Sequence, residues 1–143
     1  MRYEFTTVAL ITPGLWRWPH VDPAREWADR LTGQIVIETE FLDRFEQLRA
    51  ALGFPLPINS GYRTPEHNVI VSTTGEHGPH TTGRACDIRI YGVRALHLIA
   101  AAQTLGFTGF GLDQKSTTPI GARYIHVDDL VAPAYPRPEV WTY

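Results

Sequence analysis

Two short segments, Arg84–Tyr91 and Arg123–Val127, alternate between apolar and ionisable side chains. Successive side chains of a strand point to opposite faces. Cys86, Ile88 and Ile90 therefore point one way, and Ala85, Asp87, Arg89 and Tyr91 the other. In the second segment Ile125 and Val127 oppose Tyr124, His126 and Asp128. Strands patterned in this way need a sheet with one face against a core and the other lined with polar groups. Phe107–Leu112 reads as a further strand containing glycines.

The helices that cover the apolar face are also legible. Phe41, Leu42, Phe45, Leu48 and Leu52 recur at helical spacing, with Thr39 as the cap and Gly53 as the stop. Asp22-Pro23 opens a short helix to about Leu31, ended near Gly33. Thr64-Pro65-Glu66 starts another, and Val93–Leu105 forms a third with Val93, Leu96, Ile99 and Ala100 inward and Gly106 at its end. Residues 72–83 read as a polar, Gly-rich loop. The first 20 residues, with Trp16 and Trp18, are expected to wrap irregularly, and the Pro-rich tail to dock as coil through its aromatics. Helices and strands mix without a βα rhythm, so the expected class is α+β: one domain, 1–143, with a small mixed or antiparallel sheet packed with helices.

At 143 residues the chain can build a core without help from a metal or disulfides. A net charge of −2 and no long basic run argue against a broad nucleic-acid footprint. One cysteine, Cys86, excludes an intrachain disulfide and a Cys-rich metal site; facing with Ile88 and Ile90, it reads as an inert core thiol. The longest apolar run near the N-terminus, Val8–Ile11, is too short for a signal-peptide core or a membrane span. Cytoplasmic synthesis is the expectation.

Chemistry concentrates in His80-Thr-Thr-Gly83-Arg-Ala85-Cys-Asp87 and, much later, His126. Two imidazoles and a carboxylate form a three-donor metal set that leaves a position open for water, as catalytic zinc sites do. Gly83 would permit the turn that aims His80. His20, His67 and His97 read as structural or surface groups, and the four tryptophans as packing, with Trp16 or Trp18 as candidates to line a cleft.

The run from His80 to Asp87 resembles the H-x-x-G-x-A-x-D motif of the zinc D-alanyl-D-alanine carboxypeptidase family. Tyr124–Asp128 is similar to its later strand, and Ser60-Gly61-Tyr62-Arg63 to its upstream S-G-Y-R segment. The resemblance spans about 39–143 and includes Arg137-Pro138-x-x-Trp141. It implies the compact fold shared with hedgehog signalling domains, one zinc ion per chain on His80, Asp87 and His126, and peptidoglycan stem peptides as substrate. Arg63 would hold a substrate carboxylate or a developing oxyanion. Relatives place a general base just before the last histidine, where this chain has Arg123 and Tyr124. Tyr124 is then expected to donate to the oxyanion. Asp113 is the first choice of base, ahead of Glu76, His77 and Asp128. The lack of an export signal favours a phage-type lysin released to the wall. Two other readings stand beside it: a zinc-containing binding module that has lost turnover, and a phage structural component.

Overall fold

The computed structural model describes residues 1–143 and places the two alternating segments side by side. In chain order the elements are β1 (Arg2–Phe5), β2 (Ile35–Glu38), α1 (Thr39–Leu52), β3 (Ile58–Ser60), α2 (Pro65–Val71), β4 (Ala85–Arg89), α3 (Gly92–Thr104), β5 (Gly109–Asp113), β6 (Tyr124–Asp128) and β7 (Glu139–Thr142). β1 and β2 form a small antiparallel ribbon. The other five strands make one sheet in the order β3-β4-β6-β5-β7, antiparallel except for the parallel β5–β7 pair. The class is α+β with a mixed sheet, as expected.

The pleat divides the sheet as the alternation requires. Cys86, Ile88, Phe110, Ile125 and Val127 lie in the core with Phe41, Leu42, Phe45 and Leu48 of α1. Burial pushes the Cys86 thiol pKa well up, which leaves it an unreactive filler. The opposite face is set out in register. Ala85, Asp128, Gly109 and Glu139 form one row, and Asp87, His126, Gly111 and Trp141 the next. Gly111 is glycine for a spatial reason: an added Cβ would lie 2.6 Å from the Trp141 ring.

α1 ends at Gly53 in the left-handed conformation (φ 70°), and α2 starts on the Thr64 side chain, which accepts from the His67 N–H. Four expectations need correction. Thr39 is the first residue of α1 and not its cap; its Oγ1 accepts from the N-terminal ammonium. The segment after Asp22 is a single wide turn, Pro23–Trp27, because Trp27 plunges into the core and its backbone carbonyl is taken by Tyr62. α3 turns Ala95, Leu98 and Ala102 inward, with Ile99 partly buried, while Val93, Leu96 and Ala100 are exposed. That helix is apolar around most of its circumference, so two stripes compete and the tertiary contact chooses. The ends of the chain are not all coil: Arg2–Phe5 pairs with β2, and Glu139–Thr142 adds an edge strand to β5.

Candidate metal centre

The three predicted ligands arrive by two local devices, a pair of strands and a tight turn. Asp87 and His126 are cross-strand partners on β4 and β6. His80 sits in a short 3-10 turn, Pro79–Thr82, that closes on Gly83 with φ 75°. Only glycine adopts that region at little cost, and here a Cβ would also lie 2.7 Å from Val36 Cγ1. The turn swings the His80 ring back over the strand. All three side chains are buried.

Their donor atoms form a triangle. His80 Nε2 lies 3.2 Å from Asp87 Oδ1, His126 Nδ1 lies 3.1 Å from the same oxygen, and the two nitrogens are 3.2 Å apart. The outer atoms fix the tautomers. His80 Nδ1 donates to the Gly61 carbonyl at 2.7 Å, so its proton is there and Nε2 is bare. His126 Nε2 donates to Asp128 Oδ2 at 2.9 Å, so its Nδ1 is bare in the neutral ring. Three lone pairs thus point at one another in a buried space, an arrangement that repels unless a cation sits among them.

The titration shifts carry the same message. Burial, the largest influence, pushes the His80 pKa down against the pull of Asp87. For His126 burial acts in the same direction, but hydrogen bonds to Asp128 and Asp87 outweigh it and the net shift is upward. Burial would raise the Asp87 carboxyl, yet the two histidines hold it well below the usual carboxylate range. A proton on His126 is the simplest cation that can relieve the triangle. A metal ion relieves it more fully, because it meets all three donors at once.

The outer ring is complete as well. Asp128 is fully buried and accepts from Arg137 Nε (2.9 Å) and Nη2 (2.7 Å) as well as from His126, which holds its carboxyl down to about 2 against the opposing effect of burial. Asp87 Oδ2 accepts from Arg63 Nη2 at 3.0 Å. Arg63 is held in turn by Ser60 Oγ and Asn68 Oδ1. Such second partners orient a ligand; the Asp128 carboxylate also raises the basicity of the His126 ring, whereas the Arg63 guanidinium lowers that of Asp87.

The triangle opens into a cleft of about 840 Å³ lined by Arg63, Tyr124, Tyr143, Trp141, His77 and Tyr135, among others. Trp141 packs on His126 with ring centroids 5.1 Å apart, and Tyr124 faces Tyr143 at 5.3 Å. Burial pushes the Tyr124 phenol up, which keeps it a donor. The residues expected to move protons are mostly elsewhere. Asp113 accepts from Thr118 Oγ1 at 2.6 Å and Arg123 donates to the Thr118 carbonyl; neither lines the cleft, nor does Glu76. His77 does line it. Asp128 is occupied by its own partners. Trp16 and Trp18 meet edge to face, and neither lines the cleft. His67 and His20 pair with Asp29 and Glu46, and His97 lies on α3.

Sequence reasoning docks the tail through Trp141 but does not place it on His126, and it assigns no role to Asn68, Glu139 or the Asp128–Arg137 pair. The signal for the last was available: Asp128 shares the His126 face, and Arg137 lies in the Arg-Pro-x-x-Trp run.

A family model described as Peptidase M15 matches residues 21–128. The match begins ahead of the resemblance read at 39 and stops before Arg137 and Trp141. No curated protein and no solved structure matches the chain. No helix is long and apolar enough to cross a membrane.

Proposed function

The chain belongs to the peptidase M15 family, a family of metallopeptidases, and on that premise we propose that it is a zinc peptidase hydrolysing a peptide bond of peptidoglycan stem peptides. The observation that carries the reading is the buried triangle of His80 Nε2, Asp87 Oδ1 and His126 Nδ1. Donors around one zinc at about 2.0–2.1 Å in tetrahedral array stand roughly 3.3 Å apart. The separations here are 3.1–3.2 Å. Mixed nitrogen and oxygen donors with no thiolate also suit a site with an open position. When bound, the ion supplies Lewis acidity to a carbonyl and lowers the pKa of a water.

The chain's own residues do the remainder. Arg63 keeps two of its five N–H groups uncommitted and offers them to a substrate carboxylate or a developing oxyanion. Tyr124 offers a phenolic O–H from the same face. Trp141 walls His126 from water. The proton-accepting role falls to Glu139 in preference to Asp113, because Glu139 lines the cleft and is 45% exposed. A second reading, a wall-binding module without turnover, draws on one observation: both carboxylates lining the cleft, Asp87 and Glu139, are already paired with arginines.

Metal analysis of chain purified without chelator, beside His126→Ala, tests the centre. About one zinc per chain is expected, lost in the variant. Release of peptides from purified peptidoglycan then separates the readings: release supports the peptidase, and wall binding without release supports the module.

A further inference from the structure

The two loops that frame the cleft meet at one end. Tyr135, in the segment between β6 and β7, donates its hydroxyl to the backbone carbonyl of His77 at 3.0 Å. Both residues line the cleft, as do their neighbours Gly78, Ala134 and Pro136. The bond is solvent-exposed and links the two loops where both line the cleft.

The closed end is fastened to the site. Asn68 is fully buried, and its Nδ2 donates to Thr74 Oγ1 (2.9 Å) and to the Gly75 carbonyl (2.6 Å), while its Oδ1 accepts from Arg63 Nη1 (3.3 Å). The loop carrying His77 and the guanidinium beside Asp87 therefore share one anchor. On the far side, Arg137 approaches the Tyr135 ring to 5.8 Å while holding Asp128. Each half of the bridge is tied to an outer partner of the centre. The lining acids are both paired, whereas Arg63, beside Asp87, has N–H groups to spare, so the chemistry of the cleft suits a terminal carboxylate and not an ammonium.

We propose that Tyr135 is a specificity-determining residue: its bond to His77 closes the cleft and limits the peptide beyond the scissile bond to a short, carboxylate-ended stub. The inference rests on the proposed peptidase reading, and names a substrate limit that reading leaves open. Two free-acid peptides of stem-peptide sequence test it, identical up to the scissile bond and followed by one residue or by four. Zinc-loaded wild type should favour the short peptide in kcat/KM and in calorimetric affinity by about tenfold, the scale of one neutral hydrogen bond. Tyr135→Phe keeps the ring and removes the bridge, and should bring the ratio within about threefold. His77→Ala should leave the ratio as in wild type, because the acceptor is backbone. Equal handling of both peptides by wild type, or an unchanged ratio in Tyr135→Phe, overturns the proposal. If no peptide is cleaved, the peptidase reading fails, and the affinity ratio alone decides whether the end is closed.

Discussion

Asp128→Asn is the substitution that most directly tests how the centre is built. The carboxylate is fully buried and takes two hydrogen bonds from Arg137, one from His126 Nε2 and one from the Leu130 N–H. The Arg137 side chain is itself only 4% exposed. Removing the anion leaves the buried guanidinium with only the half-exposed Glu139 and the Pro136 carbonyl, both on Nη1, and breaking a buried pair costs about 3–5 kcal/mol. Asparagine retains one acceptor oxygen, which places the expectation near 3 kcal/mol. At a urea m-value of about 2 kcal/mol/M, the midpoint of the metal-free protein should fall by roughly 1.5 M. The same change loosens the His126 tautomer, so zinc affinity, read by competition with a chromophoric chelator, should drop about 10–100-fold. A variant that unfolds within 0.5 M of wild type (~1 kcal/mol on that slope) and binds zinc within about threefold would refute both the burial argument and the orienting role.

Other outcomes follow from the same geometry. Asp29 is buried and accepts from the backbone N–H groups of Leu31, Thr32 and Thr64, from Thr32 Oγ1 and from His67 Nδ1, so Asp29→Ala should lower the unfolding free energy by about 3–5 kcal/mol in urea titrations. Burial would raise its pKa, but the hydrogen bonds from Thr64 and Thr32 and the contact with His67 bring it below the ordinary value. Its stabilising share is therefore complete above the unfolded pKa near 3.9 and lost as pH falls through the folded value, and the wild-type minus Asp29→Ala difference should shrink only below about pH 4. Gly83→Ala combines a left-handed φ with a contact on Val36, and should cost about 2–4 kcal/mol while weakening metal binding through His80. Gly111→Ala should push Trp141 off His126, seen as a shift in tryptophan emission with about 1–3 kcal/mol lost; unchanged emission would show that β7 yields elsewhere.

The site was more legible than its surroundings. Strict alternation put Asp87 and His126 on one face from sequence alone, because a one-residue slip would have buried a carboxylate in the core. What pattern could not supply was choice among near-equal options. α3 has two apolar stripes, and only packing against α1 selects Ala95 and Leu98 over Val93 and Leu96. β7 has little strand signal of its own; it exists because the tail docks where β5 carries two glycines. Trp27 ended its helix early through burial, which no local propensity records. Glu139 and Tyr135 escaped notice for a related reason: their meaning depends on where the tail returns.

The side-chain-free track along β5, at Gly109 and Gly111, is where Arg137 and Trp141 settle, and this gives the centre an order of birth. A ribosome has released all three candidate donors once His126 has emerged. The clamp on Asp128 and the indole over His126 come eleven and fifteen residues later. An early nascent chain thus offers three donors whose aim is not yet locked, and the tail acts as the late keystone that turns a permissive pocket into a committed one.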